Sequence, residues 1–371
     1  MAINLTTTLD INEVTRLIAT VGKSLSVLIL SEPGTGKSSI LRQRAIENGD
    51  KWREPTEYFP EDAYEYVYVD APNKRDGDLF MNMPERETQS IEQYTTSLIN
   101  MNDPRPKIIM IDEALKVLKS MKPLFTRLVL ERCVGDKRLP AGSEVFLTSN
   151  NVSDGVNDTI EAHFGNRICK VQMRKPTAEV WANDWATTNG ISAITRTCVA
   201  MHPSVMASYL DGESAKENPY IFNPKTNPVT FVSPRSLALM DVAVRNRAVL
   251  GEAVTRAAIE GTCGLAFANL MASFIALEKE LVDPRKPVAE PDKTPLPTNP
   301  SALLMLMYNM VDVVQTQGDL SNALQYVNRV ESREMQAVFM TMIADNSRTA
   351  KLGSMNPKVK EWMTKNYRIA R

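Results

Sequence analysis

Residues Ser31-Glu32-Pro33-Gly34-Thr35-Gly36-Lys37-Ser38-Ser39 combine the residue types that hold a polyphosphate. Gly34 and Gly36 let the backbone curl so that its N–H groups face an anion at a helix N-terminus. Lys37 adds a mobile positive charge, and the Ser38 hydroxyl is placed to ligate Mg²⁺. The segment lies between an apolar run, Ser26-Val27-Leu28-Ile29-Leu30, and a helical stretch from Ile40 to Asn48 that Gly49 closes. Strand, glycine-rich turn, Lys-Ser and helix are the context a phosphate loop requires, and a chance Gly-Lys-Ser turn lacks it. The usual pattern opens with Gly; here Ser31 stands in that place.

Hydrolysis of a bound triphosphate also needs an acid for the metal and a base for the attacking water. Lys107-Ile108-Ile109-Met110-Ile111-Asp112-Glu113 is an apolar strand pattern ending in two carboxylates, about 75 residues beyond the loop. Asp112 suits the Mg²⁺ shell, and Glu113 suits the polarisation of water. A further apolar run, Glu144 to Thr148, delivers Ser149-Asn150-Asn151. Open α/β sheets bind ligands at the carboxyl ends of their strands, so the Asn150 amide can reach the γ-phosphate or the attacking water. Two arginines follow: Arg167 just before a fifth run, Arg167 to Val171, and Arg235 after Ser233-Pro234, where Ser233 caps and Pro234 opens a helix. Read locally, each arginine is a surface ion pair. Beside developing phosphoryl charge, a guanidinium from a neighbouring molecule is worth about 10³–10⁵ in rate.

The elements that must position these residues are short β-branched runs alternating with helical patterns up to about residue 175. Continuous apolar runs suit strands buried on both faces, as in a parallel sheet covered by helices. After Lys175-Pro176 the pattern is helical, with an irregular stretch from Asp211 to Thr230. Prolines 284, 287, 291, 295, 297 and 300 read as an extended linker. Beyond them Leu303, Leu304, Leu306, Met307 and Met310, then Met335, Val338, Phe339 and Met342, recur at helical spacing. The expected organisation is therefore 1–175, 176–283, 284–300 and 301–371.

The 371 residues carry 43 Lys+Arg and 44 Asp+Glu, a net charge of -1 that excludes a uniformly basic surface. Four scattered cysteines and two histidines, His163 and His202, form no zinc-ligand or disulfide framework, which fits a reducing compartment. Met1 to Thr6 shows no secretory pattern. The most apolar stretch, Thr262 to Leu277, is shorter than the roughly 20 residues a membrane span needs, and reads as a buried helix. A cytoplasmic protein is expected.

Together these segments resemble the AAA+ ATPase superfamily, most closely its MoxR-like branch. The resemblance rests on residues 31–38 (Walker A), Ile111-Asp112-Glu113 (Walker B), Leu147-Thr148-Ser149-Asn150 (sensor 1), Ser233-Pro234-Arg235 (sensor 2) and Arg167 as an arginine finger, with Arg174 as the second candidate. Leu128 to Gly135 and Leu139 to Gly142 resemble the helix and hairpin between Walker B and sensor 1. Asp70 to Pro84 occupies the place of a family loop without its glycine pattern. The resemblance spans about residues 15–280. It implies a five-stranded parallel αβα core, a helical lid carrying Arg235 and a C-terminal helical tail similar to that of phage and prophage members, which would place the chain in a host cytoplasm.

It further implies ATP and Mg²⁺ as ligands, with Glu32, Pro33, Gly34, Thr35, Gly36, Lys37, Ser38 and Ser39 around the nucleotide. Ser38 and Asp112 hold the metal. Glu113, Asn150, Arg235 and an in trans Arg167 serve hydrolysis in a ring, usually hexameric. Such ATPases remodel or help assemble partner proteins, often with a von Willebrand factor A domain.

Two basic patches bear on rival readings. Lys116, Lys119 and Lys122 would stripe one face of a short helix. Residues 346–371 carry seven cations against one acid, Glu361, a local charge of +6 with Trp362 and Tyr367 among them. Such a tail either docks and snorkels its charges or binds single-stranded nucleic acid. The alternatives are a DNA-directed motor or loader on the same core, and a nucleotide-gated scaffold with little turnover, toward which Ser31 leans.

Overall fold

The computed structural model describes residues 7–50, 63–75, 77–87, 89–151, 165–212, 214–278 and 282–366. The chain divides into two compact units, Met1–Lys175 with Pro224–Asn227, and Pro176–Asn223 with Pro228–Arg371.

The first unit is built on one parallel sheet. Its strands are β1 (Thr8–Leu9), β2 (Val27–Ser31), β3 (Glu65–Asp70), β6 (Lys107–Asp112), β9 (Glu144–Asn150) and β10 (Cys169–Met173), in the order β1-β10-β2-β9-β6-β3. Five were expected; the sixth, β1, is a two-residue edge strand too short to leave a periodic signal, pairing Thr8 with Gln172 and Leu9 with Met173. All five residues of β2 are buried, as are five of six in β6, which is why these strands read as unbroken apolar runs. One face packs under helix α1 (Ile11–Val21) and α2 (Ser39–Glu47), with Val14, Ile18, Ile40 and Leu41 against Val27, Ile29 and Phe146. The other holds α3 (Lys122–Glu131) through Phe125, Leu128 and Val129.

An antiparallel hairpin, β4 (Phe80–Glu85) with β5 (Ser90–Thr95), begins within the segment Asp70 to Pro84 expected as a loop and runs beyond it. A second hairpin, β7 (Cys133–Val134) with β8 (Lys137–Arg138), follows α3 where a helix and hairpin were expected. The lysine stripe does not form on one helix. Lys116 ends a single 3₁₀ turn, Val117 is extended at φ -61° and ψ 141°, and Lys122 opens α3.

The second unit is helical, entered by a turn at Ala178–Val180 that widens into a π-helical Trp181–Trp185. It continues through α4 (Ala193–Met201), α5 (Pro234–Arg245), α6 (Arg247–Cys263) and α7 (Leu265–Glu278), then α8 (Arg285–Ala289), α9 (Pro300–Val313), α10 (Gln317–Val327), α11 (Arg333–Asp345), α12 (Ser347–Met355) and α13 (Pro357–Lys365). The apolar stretch at 262–277 is not one helix. Gly264, at φ 89°, breaks it, and α7 buries only the face of Phe267, Ala268, Met271 and Phe274. Helix α9 is buried nearly all round, from Ala302 to Tyr308, and forms the centre of a core shared by helices on both sides of the proline-rich segment.

That segment is not an extended strap. It contains α8, and its carbonyls are used as acceptors. Tyr326 donates to Pro295 at 2.8 Å, Arg329 to Thr294 at 2.8 Å and to Pro291, and Asn322 to Val288 at 2.9 Å. Proline lacks a backbone donor yet keeps its carbonyl, so a proline-rich chain can be stapled from one side. In α13, Trp362 is buried and donates its indole N–H to Gln336 at 3.1 Å, while Arg348 donates to the carbonyls of Val311 and Asp312 at the end of α9. Tyr367, Arg368 and Arg371 lie outside the described residues, as does His163.

Candidate functional site

Three strands of the sheet bring the predicted groups to one edge. In the parallel register Ser31 of β2 faces Asn150 of β9, and Ile111 of β6 faces Leu147 of β9, so the carboxyl ends of β2, β9 and β6 lie side by side. The chain leaves β2 at Ser31, passes Gly34 at φ 75° and Gly36 at φ 100°, and enters α2 at Ser39. Both glycines occupy the left-handed region that side chains resist. The Ser39 hydroxyl donates to the Gly36 carbonyl at 2.6 Å and closes the turn against the helix.

Ser31 is fully buried and its hydroxyl is part of the loop's wiring. It lies 2.6 Å from the Thr35 hydroxyl and accepts from Lys37 Nζ at 3.0 Å. The ammonium of Lys37 donates also to the Glu32 carbonyl at 3.0 Å and to Asn150 Oδ1 at 2.8 Å. The other end of the same amide, Asn150 Nδ2, donates to Glu113 Oε1 at 3.4 Å. One neutral side chain thus spans from the phosphate-loop lysine to the proposed base.

Glu113 adopts φ 52° and ψ 37°, a left-handed conformation that costs a non-glycine residue of order 1–3 kcal/mol. Its N–H donates to Asp112 Oδ1 at 3.0 Å, and its carboxylate pairs with Lys116 Nζ at 2.9 Å. Asp112 is oriented from both sides. The Thr148 hydroxyl donates to Oδ1, and the Tyr68 hydroxyl donates to Oδ2 at 2.9 Å. Ser38, at the N-terminus of α2, is exposed. Ser38 and Asp112 offer hard oxygen donors, the kind Mg²⁺ takes, and the left-handed glycines shape the backbone as an anion cradle.

Arg167 is exposed and precedes β10, whose Cys169 pairs with Val27 at the start of β2. Four strand steps separate Val27 from Ser31, about 13 Å at 3.3 Å per residue. Arg167 therefore belongs to the opposite edge of the sheet from the loop of its own chain. Arg174 is tied down. It donates to the Thr8 carbonyl at 2.7 Å and pairs with Asp10 at 3.0 Å and Glu13 at 3.3 Å. Arg235 is exposed in the first turn of α5, in the second unit, behind Ser233, whose hydroxyl accepts the Ser236 N–H at 3.1 Å. Within the first unit the structure assembles Lys37, Asp112, Glu113 and Asn150.

Sequence reading missed Tyr68, Thr148 and Lys175. Thr148 lies two residues before Asn150, on the same side of β9, and this alternation was the available signal. Tyr68 is two residues before the end of β3, the strand paired with β6. Lys175 pairs with Glu32 at 3.3 Å, both side chains about 3% exposed, across 143 positions that no local pattern links.

No protein-family model matches the chain, and no curated protein matches it. Solved structures give loose superpositions. A RuvB mutant of Thermotoga maritima aligns at 11% identity and TM-score 0.38 over 81% of this chain and 74% of that one. NtrX from Brucella abortus in complex with ADP aligns at 13% and 0.31 over 100% and 70%. A putative ATPase from Cytophaga hutchinsonii aligns at 10% and 0.29 over 71% and 88%. Similarity this shallow bears on neither family nor function, so the geometry of the chain itself carries the functional reading.

Proposed function

We propose that this chain is a Mg²⁺-dependent ATPase of the AAA+ superfamily, in its MoxR-like branch, that works as a ring and remodels or helps assemble a partner protein. The observation that carries the ATPase reading is the Asn150 amide between Lys37 and Glu113, at the carboxyl edge of a parallel sheet. Lys37 and the loop N–H groups bind the β- and γ-phosphates. Glu113, held in place by Asn150 and Lys116, accepts a hydrogen bond from the attacking water and orients it toward the γ-phosphorus. Asn150 touches both partners, so it couples phosphate recognition to placement of the base. Ser38 and Asp112 are the oxygens that would hold a magnesium ion, which supplies charge neutralisation at the phosphates when bound.

The ring is supported by Arg167. It is exposed at the opposite end of the sheet from the loop of its own chain, and in a ring it would serve the loop of another copy. Ser31 does not argue for an idle scaffold, since its hydroxyl takes part in holding Lys37.

Glu113→Gln tests the mechanism. The variant is expected to bind ATP with wild-type affinity by calorimetry and to release no phosphate above background. Unchanged phosphate release would refute the assignment of the base.

A further inference from the structure

The pair Glu32–Lys175 sits inside the phosphate loop and has no part in the mechanism above. Glu32 is the second residue of the loop, directly after Ser31, and its backbone carbonyl accepts from Lys37. Its carboxylate is buried and lies 3.3 Å from the equally buried ammonium of Lys175. A negative charge fixed within a loop that must receive a polyphosphate opposes its ligand, and at low solvent exposure that repulsion is poorly screened. Lys175 arrives two residues beyond the end of β10, the strand beside β2, where it cancels that charge. The ammonium of Lys37 donates to Ser31, the Glu32 carbonyl and Asn150, so Lys175 brings a second cation to the loop.

We propose that Lys175 is an electrostatic positioning residue for nucleotide binding: it neutralises Glu32 so that the loop presents net positive charge to the phosphates. This rests on the nucleotide reading of the loop. It sets the sign of each single variant in advance, which a merely structural ion pair does not. A structural pair loses affinity whichever partner is removed. An electrostatic one weakens when the cation goes and tightens when the acid goes.

The experiment is calorimetric titration of the full chain with Mg·ATP and Mg·ADP, with folding checked by thermal unfolding. Lys175→Met is expected to weaken ATP binding by about ten- to a hundredfold, and ADP binding by less, because the repulsion scales with ligand charge. Glu32→Gln, which leaves Lys175 facing the loop, is expected to tighten ATP binding by about three- to tenfold. The double variant Glu32→Gln/Lys175→Met should return to within about threefold of wild type, as removal of both charges of a buried pair is close to neutral. Should Lys175→Met fail to fold, the sign of the Glu32→Gln change and the double variant decide the matter. Weaker ATP binding by Glu32→Gln, or equal losses for ATP and ADP in Lys175→Met, overturns the proposal while leaving the nucleotide site intact. Absence of ATP binding by the wild-type chain overturns the nucleotide reading, and the proposal with it.

Discussion

The two ends of the same parallel sheet partner their charges differently. At the amino end, buried charges are closed against each other. Arg44 forms a two-bonded pair with Glu144 at 2.9 and 3.1 Å, and Lys107 pairs with Glu65. Arg44, Glu144 and Lys107 are each 4% exposed or less. Burial opposes the charge on Arg44, but the hydrogen bonds and charges of Glu144 and Glu47 outweigh it and raise its pKa above the ordinary value. At the carboxyl end, the neutral amide of Asn150 stands between Lys37 and Glu113, whose carboxylate also pairs with the exposed Lys116. Asp112 is held by two hydroxyls, and the closed buried pair there is Glu32–Lys175. Away from the loop, a closed ion pair satisfies itself and serves the fold; within the loop, the closed pair Glu32–Lys175 cancels a charge that would oppose a ligand. Charges linked through neutral groups keep their capacity for a charged ligand. The contrast locates chemistry by how charges are partnered, not by how many there are.

The contrast makes separable predictions, the largest for the closed end. Arg44→Met leaves Glu144 buried without its partner and is expected to cost about 3–5 kcal/mol of stability. Mg·ATP affinity below the unfolding temperature should change by less than about threefold. A thermal melt alongside a binding titration measures both, and a large affinity loss with unchanged melting would break the distinction. Asn150→Ala acts in the other sense. Turnover should fall by about 10²–10³, or 2.7–4 kcal/mol, the scale for removing one transition-state hydrogen-bond donor. Its melting temperature should stay near wild type, because the residue is part-exposed at a strand end. A melt lowered as far as that of Arg44→Met would show that the amide serves the fold.

The smallest effect comes from a carboxylate of the helical unit that is held by neutral donors. Asp319 caps α10. Burial would raise its pKa, but the N–H groups of Gln315 and Thr316 and the Thr316 hydroxyl outweigh burial and hold it below the ordinary carboxylate value. The folded-state pKa is thus depressed, so the stabilisation is present above the unfolded pKa and lost as pH falls through the folded one. Asp319→Asn should flatten the acid limb of a melting-temperature profile by an amount worth about 1 kcal/mol or less. A variant profile parallel to wild type would show that these hydrogen bonds to Asp319 add nothing to stability.

Much of the site was legible because its parts are local. Gly34, Gly36, Lys37 and Ser38 are adjacent in sequence, and the apolar runs ending at Asp112 and Asn150 announce strands whose tips must share an edge. The three central strands β2, β9 and β6 were legible because burial on both faces leaves runs that need no alternation to be seen, whereas β3 and β10 are only partly buried. The β4–β5 hairpin was not legible, since Met81, Met83, Ile91 and Tyr94 are exposed on a ribbon that buries no continuous apolar face. The proline-rich segment misled because its stapling bonds come from side chains some 31 to 38 residues away.

The sequence by itself determined the residue types at the strand tips, the left-handed glycines and the parallel α/β class, all of which follow from local sterics and periodicity. Only the tertiary structure decided how the charges are partnered. It put Asn150 between Lys37 and Glu113, brought Lys175 to Glu32, closed Arg44 on Glu144 and sent Arg167 to the far edge. Those outcomes depend on strand register and helix packing, which fix distances between residues that share no local pattern. Electrostatic energy depends on those distances and on burial, so function at this site was encoded in the chain but readable only in the fold.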